Sequence, residues 1–346
     1  MRRNFIKGIA AASIAGIMAV SIPVTGWAQS AADFYKGKNI RWIIPYKPGG
    51  GYDEYSRLIA PYFEKYTGAR VDLVNSPGAG GMKGVNELFI SPPDGLTVGI
   101  INGSPMVTNE LSEISGVKYK MSEFNFLGRV VADLRVLVTS TATEYDSIDK
   151  VLNSDKEIVL GATGLGGSTY VDAVLTSKAF GNKQKVVHGF GSSSDIRAAM
   201  LRGDVSGMWG SLGSAMEGVR DDEQQILLQS GEKRSAELPD VPTAVEIAEK
   251  LPDAANRLEI LGAWAGLNDV GRPVAAPPGV PADRVAFLQK AFASVFKDAE
   301  FKAAAEKAGR ELSYESGENM AKIAQKATKL SPENKAVVLS AIKKDI

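Results

Sequence analysis

The sequence has no cysteine and a single histidine, His188, in 346 residues. The first absence excludes disulfides, thiolate metal sites, a cysteine nucleophile and a cysteine-linked lipid anchor. The second excludes any metal site built from several imidazoles. Neither charge sign is in excess, with 40 basic and 40 acidic residues, so the electrostatic footprint of a nucleic-acid partner is missing. Nucleotide motifs are missing too. Pro48–Ser56 lacks the Gly-Lys-Ser/Thr of a phosphate loop, and Gly164-Leu165-Gly166-Gly167 lacks the Gly-x-Gly-x-x-Gly spacing. No cofactor or metal is expected. An exported hydrolase is the remaining enzymatic alternative, but the chain has no Gly-x-Ser-x-Gly elbow, and its one histidine follows a strand. No feature singles out a pair of catalytic carboxylates.

What is present is ordinary globular composition, 44% hydrophobic and 23% charged, at a length that suits two α/β domains. The first 28 residues read as an export leader. Arg2, Arg3 and Lys7 precede an apolar segment from Ile9 to Val24, and Gly26 and Ala28 flank Trp27 as small residues before a cleavage point. The apolar segment is shorter than the ~20 residues of a membrane span and is broken by Pro23. Arg2-Arg3-Asn4-Phe5-Ile6-Lys7 resembles a twin-arginine signal without the preceding Ser or Thr, so the general secretory (Sec) and twin-arginine (Tat) export routes both stay open. Removing this segment leaves 37 basic against 40 acidic residues, a net charge of −3. A soluble, monomeric periplasmic protein is expected.

The rest repeats strand, glycine turn, helix. Ile40–Pro45 reads as a strand, followed by Pro48-Gly49-Gly50-Gly51 and a helix from Asp53 to Tyr66 that Pro61 should kink. Val71–Asn75 is the next strand, with Ser76–Gly81 as its turn, and Leu96–Ile101 the third, ending in Asn102–Pro105. The middle repeats the pattern: Glu157–Leu160 and the turn Gly161–Ser168, then Lys185–Val187 and a helix capped by Ser192 or Ser193. Val205–Trp209 and Ile226–Leu228 complete a second sheet. Two strand-like stretches, Val130–Val138 and Leu258–Leu267, read as crossovers. The expected organisation is a leader at 1–28, a first domain from 33–134 plus 262–346, and a second at 135–261.

Four turns carry the chemistry: Pro48–Asp53, Ser76–Gly81, Asn102–Pro105 and Gly164–Thr169. Ligands of open α/β sheets sit beyond the carboxyl ends of the strands. A glycine turn there lets backbone N–H groups approach a ligand, and the helix N-terminus that follows favours an anion. Two such domains facing each other would make an oxyanion cleft without any arginine. Asp53 either touches the ligand or caps the first helix. Trp209 either stacks on a ligand or fills the second core.

At these residues the chain resembles the Bug-type substrate-binding proteins of tripartite tricarboxylate transporters. The landmarks are Ile43-Ile44-Pro45-Tyr46-Lys47-Pro48-Gly49-Gly50-Gly51-Tyr52-Asp53, Val74–Gly81, Pro92–Thr97, Gly161–Gly164 with Gly167-Ser168, and Leu238–Thr243. The resemblance implies an α/β, type II periplasmic-binding-protein-like fold, two open domains on a two-strand hinge, and a non-enzymatic role. A small organic carboxylate would be held by Gly49, Gly50, Gly51, Tyr52, Asp53, Gly78, Ala79, Gly80, Asn102 and Ser104 of the first domain. Thr163, Gly166, Gly167, Ser168 and Thr169 would face them from the second. Tyr52, Tyr170 and Gly189-Phe190-Gly191 depart from the family pattern, and Trp209 ends a strand near the cleft. Tyr170 and Trp209 therefore join the candidate contacts of a more aromatic site. The implied partners are membrane permease subunits or, alternatively, a sensor kinase.

Overall fold

The computed structural model describes residues 30–132, 134–164 and 167–329, with 332, 335, 336 and 339 beyond them. The leader-like residues 1–28, Gly166 and most of the helix expected after Ser331-Pro332 lie outside the described residues.

After α1 (Ala31–Tyr35), strand β1 (Asn39–Ile44) buries Ile40, Trp42, Ile43 and Ile44, so it is apolar on both faces, as a central parallel strand must be. Helix α2 (Gly51–Thr67) follows and stops at Gly68, which takes the left-handed conformation and donates to the Glu64 carbonyl. Pro61 does not interrupt it: the proline and Arg57, whose carbonyl loses its donor, both lie on the exposed face. Then come β2 (Arg70–Asn75), α3 (Met82–Phe89), β3 (Thr97–Ile100), α4 (Gly103–Leu111) and β4 (Asn125–Arg129).

Val130–Leu134 carries the chain to a second sheet. This comprises β5 (Arg135–Ser140), β6 (Ile158–Ala162), β7 (Gln184–His188), β8 (Gly207–Ser211) and β9 (Gln224–Gln229). Between them lie α5 (Ile148–Leu152), α6 (Ser168–Phe180), α7 (Ser193–Leu201) and α8 (Leu212–Arg220). After α9 (Ala244–Ala248) and α10 (Ala254–Asn268), the chain returns to the first sheet as β10 (Pro273–Ala276). Helices α11 (Ala282–Val295) and α12 (Ala299–Lys307), the two-residue β11 (Glu315–Ser316) and α13 (Gly317–Thr328) complete the described chain. The first sheet has the order β11-β4-β10-β3-β1-β2, the second β7-β6-β8-β5-β9. Strand β1 is parallel to β2 and β3, and β6 is parallel to β7 and β8, whereas β10 and β5 run antiparallel to their neighbours.

The structure corrects the reading of Leu258–Leu267 as a strand-like crossover. It is the body of α10, with Ile260, Leu261, Ala263, Trp264 and Leu267 buried at helical spacing. Residue 261, where the second domain was expected to end, lies inside this helix. The return passage is Asp269–Arg272, which pairs with the outgoing passage: Arg272 N–H donates to Val131 O (2.9 Å) and Val130 N–H to Arg272 O (3.0 Å). Helix α10 packs on α6 and on α4. One continuous apolar cluster therefore runs from Leu88 and Met106 through Leu267 to Trp209.

The first sheet's own core is aromatic. Phe63 is fully buried edge-on to Trp42 (5.6 Å between centroids) and to Phe292 (6.2 Å). Phe63→Ala is expected to lower the free energy of urea unfolding by about 3–5 kcal/mol. Ile90, which is 64% exposed, should tolerate the same truncation within about 0.5 kcal/mol. Equal losses at the two positions would contradict this placement of the core.

Candidate functional site

The loops after β1, β6, β7 and β8 all open on one cleft between the two sheets, at the carboxyl ends of their strands. The cleft is nearly closed in this arrangement, with a free volume of about 30 Å³, below the range of small-ligand sites, so a ligand enters only if the sheets part. Each loop leads directly into a helix whose first turn lines it. Gly50 and Gly51 open α2, Ser168 and Thr169 open α6, Ser192 and Ser193 open α7, and Ser211 and Ser214 open α8. In α7 the Ser192 hydroxyl accepts from Asp195 N–H and occupies one donor. In α2, α6 and α8 the N-cap residue makes no side-chain cap bond. First-turn N–H groups lack intrahelical partners, so the cleft concentrates donors and positive helix ends.

Two arginines reach the same space. Arg135, the first residue of β5, is 3% exposed, and Arg272, at the end of the return passage, is 2% exposed. The Arg272 guanidinium lies over the rings of Tyr52 (4.4 Å) and Tyr55 (4.9 Å) and donates through Nη2 to Ser211 Oγ (2.7 Å). It thereby ties α2 of one sheet to α8 of the other. Arg135 is the cross-strand neighbour of Ser211. Its Nε donates to Asp172 Oδ2 (2.6 Å), and its Nη2 lies 2.5 Å from the same oxygen. No carboxylate occurs among the described lining residues.

Tyr46 and Tyr52 form an aromatic wall, ring centroids 4.9 Å apart. Asn102 links them from behind: its Oδ1 accepts from Tyr52 OH (2.7 Å) and its Nδ2 donates to Tyr46 OH. Burial pushes the Tyr46 phenol up to about 12, so it stays protonated and donates to Gly80 O (2.8 Å). The second glycine turn therefore supports the wall instead of lining the cleft. Gly80 also backs against the other sheet's loop, since a Cβ at Gly164 would lie 2.7 Å from Gly80 N.

Of the expected contacts, Gly50, Gly51, Tyr52, Thr163, Ser168 and Thr169 line the cleft, and Gly49 lines a smaller recess beside it. Gly167 is the N-cap of α6. Gly78, Ala79, Gly80, Asn102 and Ser104 are not among the lining residues. Asp53 is not among the lining residues either: its carboxylate accepts from Gly49 N–H, from the Arg57 guanidinium and from Asn75 Nδ2. Burial opposes ionisation there, yet these three donors hold its pKa below the usual carboxylate value. Tyr170 is buried edge-on to His188, and Trp209 is buried edge-on to Trp264, 5.2 Å between centroids, so both belong to packing around α6. Tyr46, Arg135, Ser192, Ser193, Gly210, Ser211, Ser214 and Arg272 were missed as lining residues. The glycine-serine turn after β8 was a readable signal; the arginines have no local one.

At the lips, Lys47 N–H donates to Gly191 O (3.1 Å), and its ammonium lies 3.3 Å from Asp195 Oδ2 with both side chains largely exposed. Removing that exposed pair with Lys47→Ala should change unfolding free energy by about 1 kcal/mol or less. Asp172→Ala, which strands a buried arginine, should cost about 3–5 kcal/mol in the same urea titration. A small loss at Asp172 would mean that the Arg135 pair is not closed to solvent.

Among the described residues no helix is long and apolar enough to cross a membrane. The family model described as the tripartite tricarboxylate transporter family receptor, TctC, matches residues 56–337. The protein BugT of Bordetella pertussis is 27% identical over 225 residues, covering 64% of this chain and 69% of that protein. MatC from Rhodopseudomonas palustris, solved with bound malate, superposes with a TM-score of 0.72 at 19% identity, over 87% of this chain and 99% of that one. The periplasmic binding protein BugD gives a TM-score of 0.73 at 20% identity, over 89% and 98% of the two chains. The fold is thus that of periplasmic binding proteins, and the chain belongs to the tripartite tricarboxylate transporter receptor family, whose members are solute-binding receptors and not enzymes.

Proposed function

We propose that this receptor, once exported, captures a small organic carboxylate in the cleft between its sheets and delivers it to the membrane subunits of a tripartite transporter. The observation that carries this reading is the convergence of four helix N-termini and two buried arginines on a space with no carboxylate among its described lining residues. An anion placed there completes donors that are already oriented, and it does so in a poorly solvated setting where charge-assisted bonds are strong. The wall of Tyr46 and Tyr52 supplies apolar area for the ligand's carbon skeleton. Gly50, Gly51, Tyr52 and Arg272 contribute from the first sheet and the return passage. Arg135, Thr163, Ser168 and Thr169 contribute from the second. A ligand touching both sets favours the arrangement in which the sheets are close, which is how binding would shift an open–closed equilibrium. Malate bound to the related MatC supports the carboxylate class.

Thermal unfolding and calorimetric titration with malate, succinate, adipate and benzoate, each beside its neutral amide, test the reading. At least one acid should raise the midpoint, with stabilisation of about 2.7 kcal/mol at 100 times its Kd, and the amides should not. A panel in which no acid binds, or in which amides bind as well as acids, sinks it. Arg272→Lys keeps the charge but loses the planar fork, and it should weaken acid binding by about tenfold or more. Gly51→Ala should do likewise, because its Cβ would press into Ser214 Oγ and the Arg272 guanidinium.

A further inference from the structure

Asp172 stands one turn into α6, on the helix whose N-terminus lines the cleft, yet it is absent from the lining itself. Its side chain is completely buried, and its two oxygens have different partners. Oδ2 accepts from Arg135 Nε at 2.6 Å, and Oδ1 accepts from Trp264 Nε1 at 2.8 Å. Trp264 belongs to α10, the helix that leads into the return passage, and is itself fixed edge-on against Trp209. The chain of contacts thus runs from the interlobe helix, through a carboxylate, to a guanidinium at the cleft wall.

We infer that Asp172 is a positioning residue for ligand recognition: clamped by Trp264, it holds the Arg135 guanidinium in the one orientation that serves the cleft. This rests on the carboxylate-capture reading. A buried carboxylate beside an anion site opposes anion binding through its charge, so its retention there needs a second effect. A guanidinium on a flexible stem must be ordered before it can offer a planar fork, and a fixed carboxylate with two partners supplies that order. The two effects have opposite signs. As a mere counter-charge, Asp172 would weaken binding of an anion, and neutralising it would tighten binding. As a positioning residue, its neutralisation loosens binding.

The test compares the wild type with Asp172→Asn and Trp264→Phe. The second variant keeps the charge and an aromatic ring, and it carries the test if the first does not fold. The first readout needs no ligand: the Arg135 Nε–H signal in a ¹H–¹⁵N spectrum, assigned by its disappearance in Arg135→Lys. It should be sharp and slowly exchanging in the wild type, broadened in Trp264→Phe and lost in Asp172→Asn. The second is calorimetric titration with malate, succinate, adipate and benzoate. Kd should rise about tenfold in Asp172→Asn and about threefold in Trp264→Phe, with unchanged far-ultraviolet circular dichroism. Tighter or unaltered binding by either folded variant overturns the positioning role while leaving the capture reading intact. An Arg135 signal indifferent to both substitutions also overturns it. Failure of the wild type to bind any of the four acids removes the capture reading, and the positioning role with it.

Discussion

Four helices begin at one point in this molecule, and each brings N–H groups that its own backbone cannot satisfy. Placing such ends together is electrostatically unfavourable unless something negative or strongly polar stands between them. Most of the local sequence follows from that constraint. The turns are glycine and serine because backbone must approach closely, and Ser168, Ser192 and Ser211 supply small hydroxyls at the first turns. Acidic side chains are kept back: Asp53 turns onto Gly49 N–H and Arg57, and Glu54 is paired with Arg310. The cleft is electropositive by construction, even though the chain as a whole carries no net charge.

The two arginines add charge in a particular place. Arg135 follows the outgoing passage between the sheets and Arg272 closes the return passage, and the two passages are hydrogen-bonded to each other at Val130, Val131 and Arg272. The guanidinium groups are therefore carried at the ends of the passages between the sheets, and not by the loops at the rim. Their partners lie on the lobes: Tyr52 and Tyr55 on α2, Ser211 at the start of α8, Asp172 on α6. Behind them, α10 packs on both α4 and α6, so the apolar seam between the sheets is one packed unit.

Glycine turns after apolar runs were legible because turn chemistry and the alternation of strand with helix are local properties. That reading recovered the loops of α2 and α6 at the cleft. It equally named the turn at Ser76–Gly81 and Asn102, which the structure places behind the tyrosine wall. It also counted Trp209 and Tyr170 as ligand contacts, although they pack around α6. At the end of a strand the facing direction alternates with each residue, and nothing in the sequence says which face the cleft takes. Leu258–Leu267 was misread for a related reason. A helix packed on α4 and on α6 is apolar on more than one side, and Gly262 and Gly266 blur what periodicity remains.

By itself, then, the sequence determined the absence of thiol and multi-histidine chemistry, the two-part α/β pattern, the glycine loops at strand ends and the resemblance that named the family. These depend on composition and on neighbours within a few residues. Only the tertiary structure decided that α7 and α8 complete the set of helix ends, and that the cleft contains guanidinium groups at all. Arg135 reads as an interior residue of the strand-like stretch Val130–Val138, and Arg272 as a residue before a proline. Asp172, Trp264 and Ser211 are 37, 129 and 76 positions from Arg135, respectively. Their meeting is a consequence of sheet order and of the path of α10, which no local pattern encodes.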